Sequence, residues 1–249
     1  MLGSNSKKNR LLRVLQNSSV IEVLGIIPAR GGSKAIPRKN LVPLLGRPLI
    51  VYTCDAALRS KLLSRVIVST DDEEIASVTR AAGIEAPFLR PSALAEDSTP
   101  MIAVVEHALT ALAPYHPHVI VLLQPTSPLR TSEHIDGAIR LLTESDADTV
   151  VTVVEVPHQF NPVSVMRMKD GLLTPYTEGP QILRRQDKPR IYARNGPAVL
   201  VARRSVVERG GLYGERIRAL EMSKMDSIDI DDAEDLVLAE LWLSRRKNG

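Results

Sequence analysis

The chain has 249 residues, of which 44% are apolar and 24% charged, with a formal net charge of +3 and one cysteine. This composition predicts one large folded domain, with or without a subdomain, and excludes general disorder, a disulfide framework and a cysteine-based zinc cluster. The excess positive charge lies in the first 20 and last five residues, which hold seven cations and no acid, so no nucleic-acid-binding face is indicated on the body.

The first 20 residues are polar and basic with scattered leucines, and we expect a flexible extension there. They lack the uninterrupted apolar segment and the cleavage site of a secretory signal peptide. No stretch approaches the roughly 18 consecutive apolar residues of a membrane-spanning helix. These features predict a cytoplasmic protein that binds neither membranes nor nucleic acid. Salt-sensitive nucleic-acid binding through residues 1–20 is the alternative.

From residue 21 to residue 249, short apolar runs alternate with longer segments of helical character, which predicts a single domain. Pro48, the acids at 71–74 and Gly83 are start and end signals of helices. The predicted strands cover residues 23–29, 65–70, 86–89, 118–124, 148–156 and 198–202. The predicted helices cover residues 49–60, 71–82, 100–112, a segment from 131 onward, and 231–243. Such alternation is typical of βαβ units, so we predict an α/β fold with a mostly parallel sheet flanked by helices.

The alternation breaks between about residues 157 and 197, where prolines and arginines are frequent. Plain loops of that length are uncommon inside a compact domain, so we predict an inserted arm or small subdomain. Its second half holds a cluster of cations that suits an anionic substrate, a subunit contact or a solvated surface. The cluster consists of Arg184, Arg185, Lys188, Arg190 and Arg194.

A candidate phosphate-binding segment covers residues 26–40, IIPARGGSKAIPRKN. A buried strand leads into the Gly31–Gly32 turn, where backbone amides can approach a ligand closely. The carboxyl end of a parallel strand is a usual position for ligands, and the neighbouring cations suit a polyanion such as a triphosphate. These cations are Arg30, Lys34, Arg38 and Lys39. The spacing matches neither the P-loop nor the GxGxxG pattern, and a tight turn with solvated cations is the equally weighted alternative.

A candidate metal site lies in residues 227–235, SIDIDDAED, where Asp229 and Asp231 stand two positions apart on one side of an extended segment. Two such carboxylates can share Mg²⁺, which prefers oxygen ligands and substrate phosphates. Alternatively, Asp231 begins the last helix as its N-cap, with Glu234 three positions later. Asp229 precedes that cap, which favours the metal site.

Two further polar side chains follow predicted strands. Gln124 lies in LLQPTSPLR, residues 122–130, and is placed either to hydrogen-bond a ligand or to complete a rigid turn. Arg90 begins RPSALAEDSTP, residues 90–100, and faces either the same crevice or solvent. Neither an HExxH pattern nor a serine–histidine–aspartate grouping is present, so covalent hydrolase chemistry is unsupported.

These segments, together with VIVSTDDEEIA and RRQDKPRIYARNG, occur in the same order in the acylneuraminate (CMP-sialic acid) cytidylyltransferases, which this sequence resembles over roughly residues 23–240. The resemblance implies a Rossmann-like nucleotidyltransferase fold with an inserted dimerisation arm, and therefore a homodimer. It also implies transfer of CMP from CTP to the anomeric hydroxyl of a sialic-acid-like 2-keto sugar acid, a nonulosonate, with release of pyrophosphate.

The same resemblance implies roles for individual residues. The implied triphosphate ligands are Arg30, Gly31, Gly32, Ser33, Lys34 and Lys39. The implied cytidine ligands are Asn40 and Arg90, the sugar-acid ligands Gln124 and Arg185, and the Mg²⁺ ligands Asp229 and Asp231. Catalytic roles are implied for Arg30, Lys34 and Asp231.

The sequence departs from the family pattern at four positions, Ala35, Met101, Ser164 and Val199. The first replaces a glycine, which is a mild change if its backbone φ is negative. Met101 replaces a serine, and the last two replace a lysine and an aromatic residue of the sugar pocket. The acceptor is therefore less constrained than the nucleotide. The alternatives are a legionaminate-like, pseudaminate-like or non-sugar acid, or a non-catalytic nucleotide-binding subunit.

Overall fold

The central feature of the computed structural model is a seven-stranded sheet; the structure describes residues 21–179, 182 and 184–247. The strands among the described residues are β1 (Val23–Pro28), β2 (Pro43–Leu44), β3 (Arg47–Pro48), β4 (Arg65–Ser69), β5 (Val119–Leu122), β6 (Thr149–Glu155), β7 (Met166–Lys169), β8 (Leu172–Pro175), β9 (Tyr192–Arg194), β10 (Leu200–Arg203) and β11 (Ile217–Glu221). The helices are α1 (Leu49–Leu58), α2 (Glu73–Ala81), α3 (Met101–Ala111), α4 (Ser132–Thr143), α5 (Arg204–Val207) and α6 (Ala233–Lys247). The extension predicted for residues 1–20 lies outside the described residues.

The strand order in the sheet is β11-β6-β10-β5-β1-β4, with β9 paired to the end of β6. Neighbours β1, β4 and β5 are parallel, and so are β6 and β11. Strand β10 runs antiparallel to both β5 and β6, which leaves those two strands parallel to each other. The prediction of a mostly parallel sheet is therefore confirmed; β10 is antiparallel between its two parallel parts, and β9 pairs antiparallel with the end of β6.

Helices cover both faces of this sheet. Side chains alternate along β1, so that Val23 and Ile27 pack with α1, α2 and α4, while Leu24 and Ile26 pack with α3 and α5. This alternation explains why the strand sequence is apolar throughout, since both faces are buried. Within the described ranges, no helix has the length and apolar character needed to cross a membrane.

Most helix boundaries follow the predicted signals. Helix α1 begins directly after Pro48, and Asp72 caps α2 by accepting a hydrogen bond from the Ile75 amide at 3.0 Å. Gly83 follows α2 with φ of +89°. The strand predicted at residues 86–89 is wrong, since Glu85 and Leu89 make only isolated bridges to the β4 side of the sheet. Strand β11 was not predicted, because its sequence IRALE is polar and mostly exposed.

Helix α6 begins at Ala233, two residues after the predicted start at residue 231. The Asp232 carboxylate accepts hydrogen bonds from the amides of Glu234 and Asp235 at 2.9 and 3.0 Å, and the Asp235 carboxylate accepts from the Asp232 amide at 3.1 Å. This reciprocal arrangement is a capping box in which Asp232 is the N-cap. The alternative in which Asp231 caps the helix with Glu234 is therefore wrong, and Asp231 is left in front of the helix.

Helix α6 also joins two parts of the molecule. Its side chains pack in a third apolar cluster with residues of β2, α1 and the segment before the helix. Near its other end, Arg246 Nη1 donates to the Leu129 carbonyl at 2.8 Å and is ion-paired to Asp226. The helix therefore fixes the segment around residue 229 against the 122–130 turn.

The segment predicted to be an inserted arm contains a hairpin, β7–β8, whose strands pair only with each other within the described part of the chain. All eight strand residues are exposed. Because directly opposite residues share a face, Met168 and Leu173 lie on one face with Met166 and Pro175, whereas Arg167, Lys169, Leu172 and Thr174 lie on the other. One face of the hairpin is therefore apolar throughout.

Candidate active site

The candidate site lies where β1, β4 and β5 end. Because these strands are parallel, the segments that follow them meet at one edge of the sheet. Strand β1 leads to Arg30, β4 to Asp71 and Asp72, and β5 to Gln124. A cavity of about 290 Å³ opens there. Among the predicted site residues it is lined by Arg30, Gly32, Ser33, Lys39, Asn40, Arg90 and Gln124.

The glycine turn after β1 is held by the acids that follow β4. The Gly31 amide donates to Asp71 Oδ1 at 3.0 Å. A Cβ atom at Gly31 would lie 2.7 Å from Asp72 Oδ2, so a side chain cannot be accommodated without displacing that carboxylate. Arg38 has a φ of 52°, and its guanidinium pairs with Asp72 and Glu74 at the start of α2, at 3.0 and 2.8 Å. Ala35 is not among the residues with positive φ, so its replacement of glycine is mild.

Two of the predicted phosphate ligands are already paired to an acid. Arg30 and Lys34 both contact the Asp97 carboxylate, the lysine at 2.5 Å. Hydrogen bonds from Lys34 and then Arg30 lower the pKa of Asp97, so it is charged at neutral pH. Asp97, together with Glu96, also lines the cavity. The Asp97 carboxylate therefore occupies the position between Arg30 and Lys34 that we predict for an anionic ligand.

Lys39 connects the glycine turn to the acidic segment before α6. Its Nζ donates to the Ile230 carbonyl at 2.7 Å and pairs with Asp231 Oδ1 at 3.2 Å. The two segments are 191 residues apart in the chain. The Lys39 side chain is only 14% exposed, whereas that of Asp231 is 81% exposed. Asp231 therefore presents a free side of its carboxylate to solvent beside the cavity residues.

Buried polar groups define the other end of the cavity. Asn40 is 8% exposed, and its Nδ2 donates to the Arg30 carbonyl at 2.9 Å. Arg90 is 5% exposed, its Nη2 lies 3.7 Å from Asp71 Oδ1, and its Nε has no hydrogen-bond partner among the described residues. Burial lowers the pKa of Arg90. Because unpaired buried donors are costly, this guanidinium is suited to a ligand that accepts a hydrogen bond.

Asp229 is the buried member of the acidic pair. Burial raises its pKa, and a hydrogen bond from Thr126 opposes that rise. Its Oδ1 has no hydrogen-bond partner among the described residues. Within those residues, no group of three or more His, Cys, Asp or Glu side chains is arranged to hold a metal. An orphaned carboxylate oxygen beside a second, exposed carboxylate fits a hard cation whose remaining ligands come from water or substrate.

Arg185 lies apart from the other predicted site residues. It lines a second cavity of about 430 Å³ in the segment 155–190, with Glu155, His158, Lys188, Arg190 and Lys224 among its neighbours. In this cavity Lys188 Nζ donates to Ser164 Oγ at 2.7 Å, so a lysine amine stands at the position where the family lysine is replaced by serine. Val199, by contrast, is buried in the core, whereas Met101 lines the first cavity.

One buried side chain next to the site was not singled out from the sequence. Arg130, at the end of the 122–130 turn, is 3% exposed. Its Nη1 donates to the carbonyls of Gln124 and Ala198 at 2.9 and 2.8 Å, and its Nη2 donates to Thr53 Oγ1 at 2.6 Å. The only available signal was an arginine directly after a proline-rich turn, a pattern that is equally typical of a solvated surface turn.

Comparison with known proteins gives a consistent result. A family model described as cytidylyltransferase matches residues 24–247. The N-acylneuraminate cytidylyltransferase of Escherichia coli O18:K1:H7 is 32% identical over 91% of this chain and 53% of its own length, so the chain spans about half of that relative. The CMP-N,N'-diacetyllegionaminic acid synthase of Legionella pneumophila is 32% identical over 88% of this chain and 95% of its own length. Among solved structures, a CMP:2-keto-3-deoxy-manno-octonic acid synthetase complexed with CTP has a TM-score of 0.69 at 16% identity, covering 90% of this chain and 99% of that chain, a likeness of fold.

Asp97→Asn should strengthen the binding of inorganic pyrophosphate about fivefold or more, because it removes a charged competitor for Arg30 and Lys34. Isothermal titration calorimetry measures this affinity. Glu96→Gln is the matched control, since Glu96 lines the same cavity but contacts Ser98 at 3.5 Å. Unchanged or weaker pyrophosphate binding by Asp97→Asn, relative to Glu96→Gln, would contradict the competition.

Proposed function

This chain belongs to the cytidylyltransferase family, and from that premise we propose that it transfers CMP from CTP to the anomeric hydroxyl of a nonulosonate and releases pyrophosphate. The observation that carries the proposal is the contact of Lys39, which lines the first cavity, with the Ile230 carbonyl and Asp231, because it brings the cation-rich glycine turn next to the acidic segment. The names of the two relatives, which refer to N-acylneuraminate and N,N'-diacetyllegionaminic acid, support a nonulosonate acceptor.

In this proposal the nucleotide spans the first cavity. Arg30, Lys34 and Lys39 bind the triphosphate, with Ser33 and the amides of Gly31 and Gly32 beside them. Asn40 and Arg90 bind the cytidine, where the unpaired Arg90 Nε is available as a donor. The acceptor hydroxyl attacks the α-phosphorus as the bond to the β-phosphate breaks. The cations neutralise the charge that develops on the departing pyrophosphate, so the protein contributes mainly positioning and electrostatic stabilisation.

Asp229 and Asp231 are the residues that would hold Mg²⁺. Their carboxylate oxygens are the donors that this ion prefers, and the Asp229 oxygen without a partner supports such a role. When bound, Mg²⁺ supplies Lewis-acid stabilisation of phosphoryl oxygens. Lys39 fixes the segment 230–231 relative to the glycine turn, so the acidic pair and the triphosphate cations keep a constant separation.

The acceptor side is proposed to include Gln124 and Arg185. Gln124 lines the first cavity, whereas Arg185 lines the second. If Gln124 and Arg185 bind the same sugar acid, the two cavities must come together, either through a partner subunit or when the acid binds. Lys188, whose amine contacts Ser164, adds a cation for the acid's carboxylate. A legionaminate-like or pseudaminate-like acid is the alternative to N-acetylneuraminate, and a non-sugar acid stays open.

We further propose a homodimer formed through the β7–β8 hairpin. Met168 and Leu173 are 75% and 62% exposed on its apolar face. An isolated two-stranded hairpin is only marginally stable in water, and large exposed apolar patches mark interaction surfaces. A second copy of this chain is the simplest partner to cover the hairpin. Cytoplasmic location and the absence of nucleic-acid and membrane binding stay predictions.

Incubation of the protein with CTP, Mg²⁺ and a panel of acids should release pyrophosphate with at least one nonulosonate. The panel consists of N-acetylneuraminate, N,N'-diacetyllegionaminate, pseudaminate and 3-deoxy-manno-octulosonate, and pyrophosphate is followed by a coupled phosphate assay. Replacement of CTP by UTP is the control. CTP binding without turnover of any acid would contradict the proposal and favour a nucleotide-binding subunit.

Asp231→Ala should lower kcat about a hundredfold or more, because it removes one of the two carboxylates that would hold Mg²⁺ beside the reacting phosphates. Its effect on stability should be small, because the Asp231 side chain is 81% exposed and Lys39 keeps its hydrogen bond to the Ile230 carbonyl. The neighbouring Asp232→Ala is the matched control. It should cost about 1 kcal/mol of unfolding free energy through loss of the helix cap and leave kcat unchanged.

Urea unfolding and steady-state kinetics measure the two effects of these substitutions. If Asp231→Ala retained activity, or if Asp232→Ala lost it to the same extent, the assignment of Asp231 to the reacting phosphates would be wrong.

The double substitution Met168→Glu and Leu173→Glu should convert the dimer to a monomer, because it buries like charges in the contact. Light scattering after size-exclusion chromatography measures the mass. Lys169→Glu, on the opposite face of the hairpin, is the control and should leave the dimer intact. A monomeric wild-type protein, or a dimer that tolerates the double substitution, would overturn the assignment.

A further inference from the structure

Arg130 is a buried cation at the junction of three segments. Its guanidinium holds the Gln124 carbonyl after β5, the Ala198 carbonyl before β10 and the Thr53 hydroxyl in α1, at 2.9, 2.8 and 2.6 Å. Its Nε has no hydrogen-bond partner among the described residues. Arg130 therefore joins β5 to the antiparallel strand β10 at the edge where the candidate site lies.

The segment that Arg130 holds at Ala198 is the turn 195–198, which supports Asp229. A Cβ atom at Gly196, where φ is +108°, would lie 2.9 Å from Asp229 Oδ2. Asn195, in the same turn, accepts a hydrogen bond from the Ala198 amide at 3.4 Å and donates to Ser227 Oγ at 2.9 Å. A continuous set of hydrogen bonds thus runs from Arg130 through the turn to Ser227, two residues before Asp229.

The charge of Arg130 is unusual for a purely structural clamp. Burial lowers its pKa to about 9, and interactions with Cys54 and then with Asp229 oppose that effect. Burying a cation costs free energy unless an opposite charge or hydrogen bonds compensate it. The turn that Arg130 holds at Ala198 packs against Asp229, whose Oδ1 has no partner among the described residues, so this cost falls at the proposed metal and acceptor end of the site.

We propose that Arg130 is a positioning residue, which sets Gln124 and Asp229 relative to each other and so prepares the acceptor and metal half of the site. The inference rests on the proposed function for the identity of that half. The nucleotide residues Asn40 and Arg90 make their own contacts, to the Arg30 carbonyl and to Asp71, and do not depend on Arg130. Loss of Arg130 should therefore affect metal and acceptor binding but not CTP binding.

The test compares Arg130→Met and Thr53→Val with Arg203→Met. Arg203 donates to the carbonyls of Ala147, Leu142 and Ser145 at 2.8, 2.9 and 3.0 Å. Arg203 is the last residue of β10 and lies opposite the first residue of β5, so it is at the other end of these strands from the candidate site. It is thus a matched structural arginine. Mn²⁺ binding in the presence of CTP is followed by electron paramagnetic resonance, CTP binding without metal by calorimetry, and folding by circular dichroism and urea unfolding.

The dissociation constant for Mn²⁺ should rise about tenfold or more in Arg130→Met and about threefold in Thr53→Val, because a residue that orients a metal ligand is lost or loosened. The affinity for CTP should change less than about twofold in both variants, since the nucleotide contacts are independent. For the acid with the highest turnover, KM should rise in the same order. Arg203→Met should lower stability without separating the two affinities.

Equal losses of Mn²⁺ and CTP affinity in Arg130→Met, in proportion to its unfolded fraction, would reduce Arg130 to a structural clamp. If Arg130→Met does not fold, Thr53→Val with unchanged Mn²⁺ affinity would overturn the proposal. A wild-type protein that turns over no acid would refute the proposed function, whereas the Mn²⁺ and CTP affinities would still test the role of Arg130. A wild-type protein that binds no Mn²⁺ with CTP would overturn this inference.

Discussion

The ammonium group of Lys39 is the contact on which the candidate site depends. It satisfies the Ile230 carbonyl and the Asp231 carboxylate together, and so fastens the loop after the first strand to the segment before the last helix. Its side chain is largely withdrawn from solvent, which limits screening of this contact. Every group proposed for the phosphates and the metal lies on one of these two segments or touches them.

Much of the positive charge in this site is paired before any ligand binds. Asp97 pairs with both Arg30 and Lys34, Asp71 lies beside Arg90, and Asp72 pairs with Arg38 at the start of α2. Without these acids, the cationic side chains around the cavity would repel one another. An incoming polyanion exchanges protein carboxylates for phosphate oxygens, so its net gain is smaller than the number of cations suggests. The exceptions are the unpaired Nε of Arg90 and the orphaned oxygen of Asp229.

Local sequence patterns predict much of the fold and part of the candidate site. Strands β1, β4, β5 and β6 and helices α1 to α4 follow from apolar runs, Pro48, the acids at 71–74 and Gly83, since each acts on its own neighbours, whereas the two-residue strands β2 and β3 carry no such signal. The direction of β10 does not follow from its residues, because the connections on either side decide it. The strand β11 is an exposed edge with charged residues and lacks the apolar alternation that identifies a strand.

Site residues were predictable where a motif is compact and not where it is assembled from distant parts. Residues 30–40 share one loop, so their convergence follows from the strand before them. In DIDDAED several carboxylates can cap the helix equally well on paper, and only the backbone geometry selects Asp232. The burial of Arg130 depends on carbonyls 6 and 68 residues away and has no local signature.

The last helix has a consequence for handling the protein. In its first turn, the Asp235 carboxylate accepts a hydrogen bond from the Asp231 amide. Near its other end, Arg246 donates a hydrogen bond to the carbonyl of Leu129, the residue before Arg130. This helix therefore connects the acidic segment to the 122–130 turn, whose residues 124–126 line the cavity. A truncation that removes Arg246, or a bulky tag fused close behind it, would therefore disturb the binding geometry. A tag at the amino-terminal end leaves this helix intact.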